Sequence, residues 1–219
     1  MTAPLVVKLG GGVARLGGAP LLRSLGTVLS AVAAARPLLV VPGGWEFADA
    51  VRAAADRLSL PDRTAHRLAL LAMEQYGGVL ATVIPGSVLT RRLDGLGGGP
   101  ARVLLPGDLA DEPALPASWS VTSDSIAAWV AARVGAPSAV LVKPVAVLAA
   151  ERRGGVHVLD AAALERLQRT GGGSVVDAWL PTALRRFGVE AWLVDGREPG
   201  RVAAVLEGRA EPATRITPG

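Results

Sequence analysis

Cysteine is absent from this 219-residue chain, and lysine is nearly so. Without cysteine, thiol catalysis, disulfides and cysteine-ligated zinc are excluded. Only two histidines are present, His66 and His157, and they lack the spacing of an HExxH zinc helix, so histidine-bound zinc is not expected. Aromatic residues make up only 4%, and the arginines are scattered singly or in pairs. The formal net charge of +4 therefore does not build the basic, aromatic-studded face of a nucleic-acid binder, and no nucleic-acid partner is expected. Hydrophobic residues reach 50%, yet charge, Gly or Pro interrupts each apolar run, so no membrane-spanning helix is expected. The N-terminal MTAP passes into strand-like sequence without the basic and apolar regions of a secretory signal, which gives a cytoplasmic expectation. No long polar or Pro/Ser-rich linker divides the sequence, so residues 1–219 are expected to form a single domain.

Of the 23 Lys and Arg residues, only Lys8 and Lys143 are lysines. Each follows an apolar run, PLVVK or AVLVK, and each precedes a Gly or Pro loop. A compact ammonium on a flexible stem suits a phosphate oxygen as a point charge, whereas a planar guanidinium fits it differently. The retention of lysine at these two strand ends points to phosphate chemistry.

Strand-like runs occur at 5–9, 38–41, 101–104, 139–142 and 191–194. Helical stretches are expected at 20–35, 46–58, 64–81, 124–134, 161–169 and 181–187, with surface turns at 90–99 and 151–155. Alternation of this kind predicts a largely parallel sheet covered on both faces, with ligands at the carboxyl ends of the strands. Two glycine loops fall at such ends, Gly10-Gly11-Gly12 after Lys8 and Gly43-Gly44 before a helix. Glycine lets a backbone approach a phosphate, and free amides at a helix start supply positive potential. Neither loop fits GxGxxG, because Arg15 takes the last position, and no Gly-Lys pair exists for a Walker loop. Thr122, Ser123, Asp124 and Ser125 form a polar cluster at a helix start, where Ser123 or Asp124 would serve as an N-cap. A capping carboxylate could also orient a lysine or Mg²⁺.

In their order, KLGGG, VVPGGWEFADAVR and VTSDSIAAWVA resemble the amino acid kinase family, which includes acetylglutamate, aspartate, uridylate and isopentenyl phosphate kinases. The resemblance covers most of the chain. It implies an α/β fold, a three-layer αβα sandwich with an open, mainly parallel sheet, and ATP with Mg²⁺ as cofactors. It assigns Lys8 to the transferring phosphoryl group, Gly10 and Gly11 to the ATP phosphates, and Gly43 and Gly44 to the acceptor; Gly12 is expected beside the ATP phosphates, and Thr122 and Ser123 beside the acceptor. Asp124 would organise the catalytic lysines and hold Mg²⁺; the family pattern gives Lys143 no role, and the lysine count alone suggests that it acts from the nucleotide side, the alternative being charge stabilisation by Mg²⁺ alone. Within the family the motifs GGWEFADAVR, HRLALLAMEQYGGVLA and SDSIAAWVA are most similar to small kinases of methanofuran-type cofactor biosynthesis. Those enzymes convert an aminomethylfuran phosphate to its diphosphate.

The implied partner is thus a small phosphorylated molecule, and the helix within 66–81 is read as core plus the contact of a homodimer or larger homo-oligomer. One departure stands out: many relatives place a second catalytic lysine in the segment GGGSVVDAWLPTAL, where this chain has Asp177. A weaker one is Ala213 where a family-like ending would carry glycine. The departure at Asp177 keeps a second reading open, a non-catalytic nucleotide- or oxyanion-binding member of the same fold. UMP, isopentenyl phosphate or a carboxylate remain alternative acceptors.

Overall fold

The computed structural model describes residues 3–145, 151–153, 156–171, 175–209 and 212–219. In chain order the first half forms β1 (Leu5–Leu9), α1 (Gly11–Ala35), β2 (Leu38–Pro42), α2 (Trp45–Leu58), α3 (Asp62–Val83), β3 (Val88–Thr90) and β4 (Arg102–Leu104). A 3-10 turn (Pro106–Asp111) leads to α4 (Ser123–Arg133) and β5 (Ser138–Lys143). There follow β6 (Glu151–Arg153), β7 (Val156–Asp160), α5 (Ala161–Arg169), α6 (Leu180–Phe187), β8 (Glu190–Asp195), α7 (Pro199–Leu206) and β9 (Thr214–Thr217).

These strands build one open nine-stranded sheet in the order β3-β4-β2-β1-β5-β8-β9-β7-β6. Every pairing is parallel except β6 with β7 and β8 with β9. The central strands LVVKL, LLVVP and SAVLVK are nearly continuous apolar runs because helices cover the sheet on both faces. α4, α5 and α6 close one face with the cluster that holds Val6, Leu141 and Leu193. α1 and α7 close the other over Val7, Leu9, Val140 and Val142.

Strand periodicity decides where the lysines go. Side chains alternate between faces, and Val6 belongs to the α4 side while Val7 and Leu9 belong to the α1 side, so Lys8 projects toward α4. In β5, Ala139 and Leu141 lie on the α4 side, which puts Lys143 there too. Because Lys8 registers with Leu141, the two lysines lie on adjacent strands, on one face, a diagonal step apart.

By length and composition α1 could cross a membrane. Its packing says otherwise. The helix is interrupted at Gly18 (φ 54°, ψ −155°) before Pro20, and it buries Leu22, Leu25, Leu29 and Ala33. Gly26 presses on α3, since a Cβ there would lie 1.9 Å from the Val83 carbonyl oxygen. α1 is a core helix of the α/β fold.

Several sequence expectations shift. α1 starts at Gly11, well before residue 20, so only Gly10 of the first glycine triplet lies outside a helix. The expected turn at 151–155 contains β6, paired antiparallel with β7, while Gly154 and Gly155 lie outside the described residues. Helix α7 and the short strands β3, β6, β7 and β9 were not expected.

Candidate active site

Lys8, Asp124 and Lys143 meet at the carboxyl ends of β1 and β5. Lys8, only 4% exposed, places Nζ 2.9 Å from Asp124 Oδ1. Lys143 Nζ donates to Asp124 Oδ2 at 2.6 Å and to the Val175 carbonyl at 2.7 Å. Burial alone would raise the Asp124 carboxyl, but Lys143 and Lys8 outweigh it and hold the group below the usual carboxylate range. Burial lowers Lys8 to about 8, with the neighbouring Lys143 acting in the same direction and Asp124 opposing. Two ammoniums against one carboxylate leave a buried excess of positive charge, which an oxyanion offsets.

The glycines fix this geometry by close approach. A Cβ on Gly10 would lie 3.1 Å from Lys8 Nζ and 3.3 Å from the Val142 carbonyl oxygen; one on Gly11 would lie 2.5 Å from Trp45 Cα. The two glycine segments therefore pack backbone against backbone. Gly43 N–H donates to the Leu9 carbonyl at 2.9 Å and Gly10 N–H to the Val142 carbonyl at 3.2 Å. Those amides, expected on phosphates, are thus engaged at the sheet end. Among the described residues, the N–H groups of Gly11, Gly12, Gly44 and Trp45 have no acceptor, and these are the donors open to a ligand.

Gly11, Gly12, Gly44, Trp45, Thr122 and Ser123 line one cavity of about 390 Å³, so the starts of α1, α2 and α4 converge on it. Gly11 and Gly12, expected on the nucleotide side, share this cavity with the expected acceptor residues Gly44, Thr122 and Ser123, whereas Gly43 does not reach it. Charged residues not anticipated from the sequence join them: Arg15, Asp49, Arg52 and Asp62. Arg15 pairs with Asp49, and Arg52 lies over the Trp119 ring, 4.6 Å from its centroid. The signal for these residues is helical spacing. Trp45, Asp49 and Arg52 fall at i, i+4 and i+7 of α2, and Asp62, His66, Leu70 and Met73 repeat along one side of α3. His66 is buried, and burial lowers its pKa, so it stands neutral in the cavity wall. Trp45 has a left-handed backbone (φ 49°), a strained state of the kind that clusters at ligand sites.

The cap of α4 also differs from expectation. The N-cap is Thr122, not Ser123 or Asp124, and its own side chain makes no capping bond. Asp177 supplies the acceptor instead, receiving the Thr122 and Ser125 N–H groups at 2.9 Å each. Burial, aided by the Asp124 charge, raises the Asp177 carboxyl to about 6, against the opposing hydrogen bonds from Ser125 and Thr122. Asp177 is thus a brace for α4, and Lys143 supplies the second ammonium.

Asp124 was expected to hold Mg²⁺ as well, but both its oxygens are engaged by ammonium groups. Among the described residues no group of three acidic or histidine side chains is arranged to ligate a metal. The described residues do not form a protein-borne magnesium site.

No family model matches the sequence. The chain is similar to the (5-(aminomethyl)furan-3-yl)methyl phosphate kinase of Methanocaldococcus jannaschii, with 27% identity over 224 residues covering 96% of each protein. In structure it is similar to uridylate kinase from Archaeoglobus fulgidus (TM-score 0.72, 18% identity, 97% of this chain and 100% of that one). It is also similar to UMP kinase from Ureaplasma parvum (TM-score 0.68, 14% identity, 99% and 100% covered). The open, mainly parallel sheet, the motifs at its strand ends and this full-length likeness agree: the chain has the fold of these uridylate and UMP kinases and resembles the amino acid kinase family over nearly its whole length.

Proposed function

We propose that the chain is an ATP-dependent kinase that transfers a γ-phosphoryl group to a phosphate monoester, with an aminomethylfuran-methyl phosphate as the acceptor. The observation that carries the reading is the buried Lys8–Asp124–Lys143 cluster beside a cavity onto which three helix starts converge. An acceptor phosphate oxygen attacks the γ-phosphorus as the bond to the β,γ-bridging oxygen breaks. ADP leaves with that electron pair, and the product is a diphosphate. A dianionic acceptor has no proton to surrender, so no general base is needed, and positioning with charge stabilisation carries the step. Lys8 offers its ammonium to the transferring group, and Asp124 keeps the two lysines apart. Lys143 stabilises charge from the nucleotide side. The free amides of Gly11, Gly12 and Gly44 hold phosphate oxygens, with Thr122 and Ser123 at the acceptor.

The rest of the cavity supports an aromatic, amine-bearing acceptor. Trp45, Trp119, Leu70 and Met73 provide apolar walls for a flat ring. Asp62 has no ion-pair partner among the described residues, and an ammonium would supply one. The name of the Methanocaldococcus relative points to the same substrate. We assign the working form to a homo-oligomer in the cytoplasm, where ATP is available; exposed Leu58, Leu68 and Leu71 on α2 and α3 support self-association.

An ADP-release screen over phosphomonoesters and small carboxylic acids, with products read by phosphorus NMR, tests the proposal. The expected result is turnover of the aminomethylfuran phosphate with a new pair of diphosphate resonances. Turnover of carboxylates alone would overturn the acceptor class. Nucleotide binding without transfer to any acceptor would favour the non-catalytic reading, which the aspartate at position 177 keeps in play.

A further inference from the structure

Asp177 occupies the segment where a catalytic lysine was expected, yet it is built into the site more tightly than a chance replacement would be. Its Oδ2 accepts the Thr122 N–H, the Thr122 hydroxyl and the Ser125 N–H, each at 2.9 Å, and its Oδ1 accepts the Ser125 hydroxyl at 2.5 Å. The Ser125 amide is the donor at the third position of the first turn, which an N-cap side chain ordinarily satisfies locally. Here the acceptor arrives from 52 residues further along the chain. Asp177 also donates its own amide to Asp124 Oδ2 at 3.1 Å, the same oxygen that Lys143 holds. Two residues upstream, the Val175 carbonyl takes the other Lys143 bond. Gln168 of α5 donates to the Asp177 carbonyl at 2.9 Å and fixes the segment from behind.

We propose that Asp177 is a positioning residue for phosphoryl transfer. By capping α4 from a distant segment it sets Asp124, and with it Lys143, at the reacting phosphates. A hydroxyl or carboxylate on Thr122 or its neighbours could have capped α4 locally without burying another carboxylate, and burying one is costly. What the distant cap adds is a fixed relation between α4, which carries Asp124 and borders the acceptor cavity, and the segment 175–177, which grips Lys143. The inference rests on the kinase reading for its kinetic test but not for its structural one.

The near-absence of lysine makes the structural test direct. Isotope labelling of lysine alone gives a spectrum with two side-chain signals, Lys8 and Lys143. In Asp177→Ala both signals should move and kcat should fall by roughly 10²-fold, the penalty of a reacting group displaced by about an ångström. The acceptor KM should change by less than about three-fold, because the cavity walls remain. Asp177→Asn should restore both readouts. Its carbonyl can accept the Thr122 and Ser125 amides, and its amide nitrogen can donate to the Ser125 hydroxyl. Parental kcat with unmoved lysine signals in Asp177→Ala would reduce Asp177 to a fold staple and overturn the proposal, as would an alanine defect that Asn does not repair. Should the alanine variant fail to fold, Ser125→Ala removes a single bond and is expected to shift the lysine signals in the same direction by less; no shift would count against the proposal. If the parent transfers phosphate to no acceptor, the kinase reading fails while the lysine spectra still decide the positioning role.

Discussion

Replacing Lys143 with arginine preserves charge and changes only its shape, which makes it a sharp probe of the site. Nζ sits between two acceptors, Asp124 Oδ2 at 2.6 Å and the Val175 carbonyl at 2.7 Å, with the side chain 14% exposed. Space alongside is limited: a Cβ on Gly10 would come within 3.9 Å of Lys143 Cδ, and one on Gly12 within 3.1 Å of the Pro144 ring. A guanidinium is longer by about one bond and spreads its donors over a plane, so it cannot place one positive centre on both acceptors. Displacement by about an ångström corresponds to roughly 10²-fold in kcat, while the ATP KM should move little. The melting temperature should stay within a few degrees, since the buried charge is kept. Lys143→Met provides the contrast. It strips Asp124 of one of its two cations, a loss on the order of 3–5 kcal/mol for a broken buried pair, which lowers the melting temperature by roughly 10 °C in a chain of this size. Steady-state kinetics with melting curves on both variants check the reasoning. An arginine variant as fast as the parent would refute a phosphate contact by Lys143 and leave Lys8 as the sole lysine at the chemistry.

In the proposed transfer Lys8 has to be protonated to hold a phosphoryl oxygen, and burial lowers it to about 8, so kcat/KM should fall as pH rises through about 8. Because its ordinary value is 10.5, the unfolded chain holds more protons between these limits, and the Lys8 contribution to stability should increase with pH across that window in pH-dependent denaturant titrations. Asp124→Asn leaves Lys8 and Lys143 facing each other without a carboxylate, and should cost on the order of 3–5 kcal/mol and at least roughly 10²-fold in kcat; unchanged melting and activity would remove Asp124 from the site. The Tyr76 hydroxyl is buried without a partner among the described residues, so Tyr76→Phe should be neutral or stabilise by up to about 1.5 kcal/mol in a denaturant titration; a loss above that size would reveal a bond this reasoning misses.

How much was legible beforehand depended on how local each signal is. Strands β1, β2, β4, β5 and β8 announce themselves as apolar runs, and their alternation with helices is enough to give a mainly parallel sheet. Lys8, Lys143 and Asp124 stand out because residue type and position coincide: scarce lysines at strand ends and an acid at a helix start. Strands β3 and β6 have only three residues each, too few for any periodicity, and β9 reads as a polar tail until it is paired with β7 and β8. The start of α1 was placed late because Gly11, Gly12, Gly17 and Gly18 read as loop, although only Gly18 departs from helical angles. In the sequence Asp177 stands out solely as a lysine that is missing. Its bonds join residues more than fifty positions apart, and no window of sequence holds both ends.

The central place of β1 has a consequence for how the chain is made. β1 can pair with β2 as soon as that strand has been made, but its other edge waits for β5, which starts at Ser138. At about 5–20 residues per second, the stretch between these strands keeps that edge open on the nascent chain for on the order of ten seconds. An unpaired edge of sequence LVVKL is a template for illicit strand pairing, and a charge within it is the usual deterrent. Lys8 is the only charge the strand carries. On a nascent chain that single ammonium is the strand's own deterrent against pairing with another half-made copy.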